Sequence, residues 1–195
     1  MAINLTKGSS PVTLSKASRL GVKIMWPATT DYDAGCEILY KDGTTESIAT
    51  FGARGVGVLY TSRNNTVRHS GDIGRGGEAT AQEIIEIDPD DEIQEITPWA
   101  YSAQSNGTGS FRRHAVSMEV SDGTNTVRID ASNASSNDTV YTCVPGVIRF
   151  TSEGAEVEYA ELYSDPRSEA RPAYQPGGLL KRMRFTLDGP RNNYK

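Results

Sequence analysis

Hydrophobic residues recur at every second position along most of this chain, and that period excludes most folds at once. In Leu20-Gly21-Val22-Lys23-Ile24-Met25-Trp26, the residues Leu20, Val22, Ile24 and Trp26 fall on one side of an extended backbone. Cys36, Ile38 and Tyr40 alternate with Glu37, Leu39 and Lys41, and Val116, Met118 and Val120 alternate with Ser117 and Glu119. Val157, Tyr159 and Glu161 oppose Glu158, Ala160 and Leu162. Side chains of a strand point alternately to its two faces, so a period of two marks strands buried on one face. No window holds a sustained helical period. The one helical candidate is a short turn near Ser15 to Arg19.

Turn chemistry divides these runs at short intervals. Asp42-Gly43, Asp122-Gly123 and Asp188-Gly189 carry the signature of type I′ hairpin turns. Pro89-Asp90-Asp91 and Pro145-Gly146 are further turn signals, and Gly52 to Gly57 and Gly71 to Gly77 are longer glycine loops. Many short strands with frequent turns predict an all-β protein, an antiparallel β-sandwich. No internal repeat at a fixed period is present. The sandwich is expected over residues 1–165, with a C-terminal arm over 166–195. Pro166, Pro172, Pro176, Gly177 and Gly178 make that arm an extended linker or a wrapping segment. A basic amphipathic strand, Leu179 to Leu187, follows. Removing 166–195 is expected to leave the sandwich folded.

Composition bounds the function. The 195 residues are 36% hydrophobic and 23% charged, which is enough apolar material for a core and argues against wholesale disorder. A net charge of −5 argues against broad nucleic-acid binding, which needs a basic face. No apolar run reaches the roughly 18 residues of a membrane span. Met1 to Leu5 lacks the charged start and apolar core of a signal peptide, so the expected setting is the cytoplasm. Cys36 and Cys143 both lie in strand-like stretches and read as buried free thiols.

Two segments carry chemistry. One is Asp31-Tyr32-Asp33-Ala34-Gly35; the other runs from His69 through Gly71, Asp72 and Glu78 to Glu83. Carboxylates on glycine-containing loops are what a hard cation such as calcium needs. The plainer reading has Asp31 and Asp33 capping turns and Asp72 bonding backbone amides. His69 and His114 are the only histidines; His69 is expected to order the Asp72 loop through a hydrogen bond. No Gly-x-Ser-x-Gly elbow is present, and the two histidines have no metal-ligand spacing. Gly52 to Gly57 precedes a strand, not a helix, and Gly71 to Gly77 lacks the Gly-Lys-Ser/Thr of a phosphate loop. No enzymatic activity is expected. Lys181, Arg182, Arg184 and Phe185 read as a partner-binding strand that pairs with acidic surface on a neighbouring subunit or on the same chain; the first would suit self-assembly by strand addition.

Asp31-Tyr32-Asp33-Ala34 and His69-Ser70-Gly71-Asp72 also resemble the two landmarks of the TerD-type tellurium-resistance and stress-response domains. The opening Ile3-Asn4-Leu5-Thr6-Lys7-Gly8, then Val12 to Lys16, and the strand ending in Trp26 are similar to the same family. The resemblance covers about residues 2 to 163 and weakens after 100. It implies a divergent calcium-binding β-sandwich that acts through protein partners or as a homo-oligomer in stress or metal resistance. It implies Asp31, Asp33, Asp72 and Glu83 as the metal ligands. The family's second motif ends in Asp-Asp-Glu, and here Ala81 and Gln82 stand in place of the two aspartates. Gln82 keeps one neutral oxygen, and Glu78 stands where the family usually has glycine. Calcium affinity rises with the number of negative ligands, so the site is expected to be weakened to roughly the micromolar-to-millimolar range, or lost. The basic arm is a departure from the family pattern. With the eroded acids, it supports an alternative reading: a structural subunit of a virion, a phage capsid decoration or tail component built on the same sandwich.

Overall fold

The computed structural model describes residues 1–15, 19–73, 79–103, 111–132, 139–176 and 183–193. The helical turn expected near Ser15 to Arg19 falls mostly outside these residues. Among the described residues every regular element is a strand. One six-stranded sheet runs in the order β1 (Ala2–Leu5), β10 (Thr126–Asp130), β9 (Ser117–Ser121), β3 (Leu20–Pro27), β7 (Thr80–Ile87), β6 (Val67–His69). The other runs β2 (Val12–Leu14), β12 (Ala155–Tyr163), β11 (Thr142–Phe150), β8 (Ile93–Tyr101), β4 (Asp33–Tyr40), β5 (Thr45–Ala49). Their inner faces form the main core, in which Val22, Ile24 and Trp26 of the first sheet meet Ile38, Ile96, Ile148 and Val157 of the second. The molecule is an all-β sandwich.

The expected alternation is plainest in β3, whose residues are buried and half-buried in strict turn from Leu20 to Pro27. Pairing is antiparallel throughout the two sheets except at one edge. There β1 lies parallel to β10, with Ala2 opposite Thr126 and Leu5 opposite Ile129. The chain turns at Asp42-Gly43 and Asp122-Gly123, but only the glycines have positive φ, +82° and +87°. A type I′ turn needs both central residues there. At the first turn Asp42 instead accepts the Thr44 amide on Oδ1 at 2.8 Å, and Gly43 alone takes the left-handed position. Pro145-Gly146 is not a turn. It sits inside β11 at a register shift against β12. Proline cannot donate to the ladder, so the pairing skips there and resumes at Gly146. A Cβ on Gly146 would stand 2.6 Å from Ile129 and 2.7 Å from the Glu158 carbonyl oxygen. Cys36 and Cys143 are free and buried, and burial pushes both thiols up, which leaves them unreactive.

Strand β4 is buried at all eight positions, on both faces. The reason is the C-terminal segment. Its hairpin, β13 (Ala173–Pro176) with β14 (Met183–Thr186), lies over the outer face of the second sheet as a third layer. A second core fills the space between: Phe51, Trp99, Tyr101, Tyr141 and Val144 from the sheet side, with Phe185 and Leu187 packed on them from the arm. Tyr174 donates to Glu95 Oε1 at 2.6 Å and accepts from Thr97 at 2.7 Å. Backbone bonds tie Arg54 to Arg191 at 2.8 Å and Asn193 to Gly52 at 3.0 Å.

The strongest fastening is Arg171, which is 1% exposed. Its Nε donates to Asn192 Oδ1 at 2.9 Å, and its two terminal nitrogens donate to Ser47 Oγ at 2.9 Å and to the Phe51 carbonyl at 2.8 Å. The guanidinium lies against the Phe51 and Trp99 rings, 5.1 and 5.4 Å from their centroids. Ser47 passes the contact on, donating to Glu37 Oε1 at 2.7 Å, where the Trp99 indole N–H also donates at 3.2 Å. The arm is therefore a wrapping layer. Of the residues expected to bind a partner, Lys181 and Arg182 lie outside the described residues. Arg184 is exposed. Phe185 is turned inward, its ring edge-on to Tyr174 at 5.4 Å, so it serves the chain's own core.

Candidate cation site

At one end of the sandwich the two sheets are joined by acids. Asp33 opens β4 in the second sheet and Glu83 lies inside β7 in the first; Asp72 belongs to the connection between β6 and β7. Carboxylate oxygens of these three residues all lie within 4.8 Å of one another. Three of the four expected ligands thus meet, across more than forty residues of sequence. The fourth, Asp31, precedes the strand, just after the Pro27–Thr30 turn, and is not one of the three. Glu78 lies outside the described residues.

The alternation of β7 decides what its sequence can contribute. Ala81, Glu83, Ile85 and Ile87 face inward, and Gln82 lies on the opposite side, half-buried. The neutral oxygen of Gln82 therefore cannot join Glu83. An aspartate at 82 would face away as well, so of positions 81 and 82 only Ala81 stands on the cluster's side of the strand.

Glu83 is fully buried, and each of its oxygens is placed by backbone. Oε2 accepts the Ala34 amide at 2.7 Å, and Oε1 accepts the Ile73 amide at 3.3 Å. His69, at the end of β6, completes the arrangement. Its Nδ1 accepts the Gly71 amide at 3.0 Å, so in the neutral ring the proton sits on Nε2. Nε2 lies 3.2 Å from the Ala34 carbonyl and 3.4 Å from Glu83 Oε2. His69 thus orders the loop leading to Asp72, as expected. Its contact with Glu83 has no sequence signal, because it depends on β6 and β7 lying side by side. Gly71, at φ +109°, supplies the backbone bend that carries Asp72 toward the strand ends.

The donor set suits a hard cation. All three side chains offer oxygen, and the one nearby histidine has both nitrogens engaged. Calcium binds oxygen at about 2.3–2.6 Å, so oxygens on opposite sides of the ion lie about 4.6–5.2 Å apart, a span the cluster matches. Each Glu83 oxygen retains a lone pair beyond its backbone bond. Calcium takes about 6–8 oxygens, so carbonyls and water would complete the shell. No protein-family model matches the chain, and no curated protein matches it.

Proposed function

We propose that this chain is a binding and assembly module, not an enzyme, of the TerD type. Its calcium site is formed by Asp33, Asp72 and Glu83, and it acts through protein partners in stress or metal resistance. The observation that carries the reading is the meeting of three carboxylates from β4, β7 and the β6–β7 connection within 4.8 Å. An ion there clamps the two sheets at one end and couples its own occupancy to the shape of that end. A ligand that binds only the folded state stabilises it by RT ln(1 + [L]/Kd), so at a hundredfold excess over Kd the gain is about 2.7 kcal/mol. Calcium is expected to raise the melting temperature, magnesium to do so less, and Asp33→Asn with Asp72→Asn to abolish the response. Equal melting curves with calcium, magnesium and chelator would end the reading.

The virion-subunit alternative has its own support. Val58, Leu59 and Tyr60 form an apolar run, 50%, 37% and 47% exposed, where the chain crosses from β5 toward β6. Exposed apolar runs of this kind mark contact surfaces between proteins. Light scattering over a concentration series tests it. Association that Leu59→Lys removes supports a subunit, and a monomer at every concentration excludes self-assembly.

A further inference from the structure

Residues 57–61 cross from one sheet to the other and close one side of the sandwich. Leu59 bridges Ala49 in the antiparallel sense, its carbonyl accepting the Ala49 amide at 3.0 Å, so the run extends the second sheet beyond β5. Thr61 then bridges Arg68 of β6, at the edge of the first sheet. In a strand one residue turns its N–H and C=O to one neighbour, and the next turns its own to the opposite side. Leu59 faces β5, so Val58 presents both backbone groups outward. Among the described residues, the Val58 N–H and C=O and the Tyr60 N–H have no hydrogen-bond partner. Natural sheet edges are guarded by shortness, charge or proline. Elsewhere β1 has four residues and β2 three, and the arm's β14 carries Arg184. Gly55 to Ser62 has neither a charge nor a proline, and Val58, Leu59 and Tyr60 are all exposed.

We propose that residues 57–60 are a docking edge for an extended strand of a partner protein, apolar along its length and acidic at its C-terminal end. The edge belongs to the reading in which the chain acts through protein partners, and it specifies the form of one of them. Main-chain bonds to Val58 and Tyr60 hold the incoming strand, and the exposed apolar side chains pack beside its own. An antiparallel strand runs toward the turn at the start of the run. That turn is closed by two bonds between Ala53 and Val56, at 2.9 and 2.8 Å, with Arg54 and Gly55 at its tip. Arg54 is exposed and pairs with no carboxylate among the described residues. It is therefore available to an acid at the end of the incoming strand. A second copy of the chain fits less well: the run itself offers no acid to Arg54, and each chain carries a net charge of −5.

The probe is the peptide acetyl-Thr-Val-Ile-Val-Asp-Asp-amide, added to the isotope-labelled full chain in the presence of chelator, which separates the outcome from that of calcium binding. The Val58 and Tyr60 amide resonances are expected to shift saturably and their hydrogen exchange to slow, since both N–H groups acquire acceptors. The same peptide N-methylated on its valines and isoleucine keeps its apolar surface but cannot form the ladder, so it should bind about tenfold more weakly. Lysines in place of the two aspartates should weaken binding several-fold, and Arg54→Glu should reverse that preference. Val58→Pro removes an N–H that has no partner within the chain. It should keep the wild-type melting temperature and bind the peptide about tenfold more weakly. If Val58→Pro does not fold, the N-methylated peptide decides. Val58 exchange that the peptide leaves unchanged, equal binding of the N-methylated form, or a charge preference that Arg54→Glu does not alter would each overturn the docking edge. Self-association that Val58→Pro abolishes would give the edge to a second copy and overturn the partner strand.

Discussion

Gly35 shows how narrowly one position can be specified. A Cβ there would lie 2.2 Å from the Trp99 ring, which sits over the strand and fills the second core. Gly35→Ala must displace that ring or the strand, and overpacking of this kind costs about 3 kcal/mol. The urea midpoint measures it. Two positions on, Glu37 makes the same face sensitive to acid and base. Its folded value of about 8 lies above the ordinary 4.5, because burial disfavours the anion. The folded state therefore holds the proton more tightly than the unfolded chain. Glu37's contribution to stability is complete below about 4.5 and is lost as pH climbs toward 8. Glu37→Gln should abolish this component and be more stable than wild type at pH 8, with the two converging at pH 4. Urea midpoints at both pH values check the sign. In the sequence, Glu37 was visible as a carboxylate between Cys36 and Ile38. The arginine that reaches it through Ser47 was not, because Arg171 comes from a segment whose composition says only that it is extended.

At the scale of elements, the third layer changes what truncation means. Proline and glycine content identified residues 166–195 as separate in character, and a period of two correctly split the faces of β3. Neither property says where an arm comes to rest. The uniform burial of β4 depends on that docking, and deletion of 166–195 would uncover Phe51, Trp99 and Tyr101. The truncated chain is expected to keep the sandwich fold but to bind a hydrophobic dye and melt well below the full chain. The two tryptophans divide the layers. In Trp26→Phe, the remaining Trp99 should report unfolding of the arm at lower urea than Trp26 reports loss of the sandwich in Trp99→Phe, because the outermost layer has the fewest buried contacts to hold it. Coincident transitions would make the three layers one cooperative unit. The acidic cluster was legible to the same extent. Asp33 and Asp72 announced themselves by their glycines, and Glu83 by the family motif. That Gln82 faces away depends on strand phase, which a one-residue shift reverses, and Asp31 falls outside because it precedes β4.

The whole molecule is built from distant pairings. Ala2 meets Thr126, the Ala34 amide donates to Glu83, and Ser47 accepts from Arg171. Loop closure must precede each of these contacts, so refolding is expected on the slow side for a domain of this size, in milliseconds to seconds by stopped-flow fluorescence. The parallel β1–β10 pair was the least legible feature, since β1 offers the same alternation to either partner direction. It also has a consequence for biosynthesis. A ribosome delivers residues 2–5 more than a hundred residues before the strand that receives them, which is complete only when residue 130 has been made. Throughout that interval the opening segment has no seat, and its apolar Ile3 and Leu5 are available to whatever else is nearby in the cell.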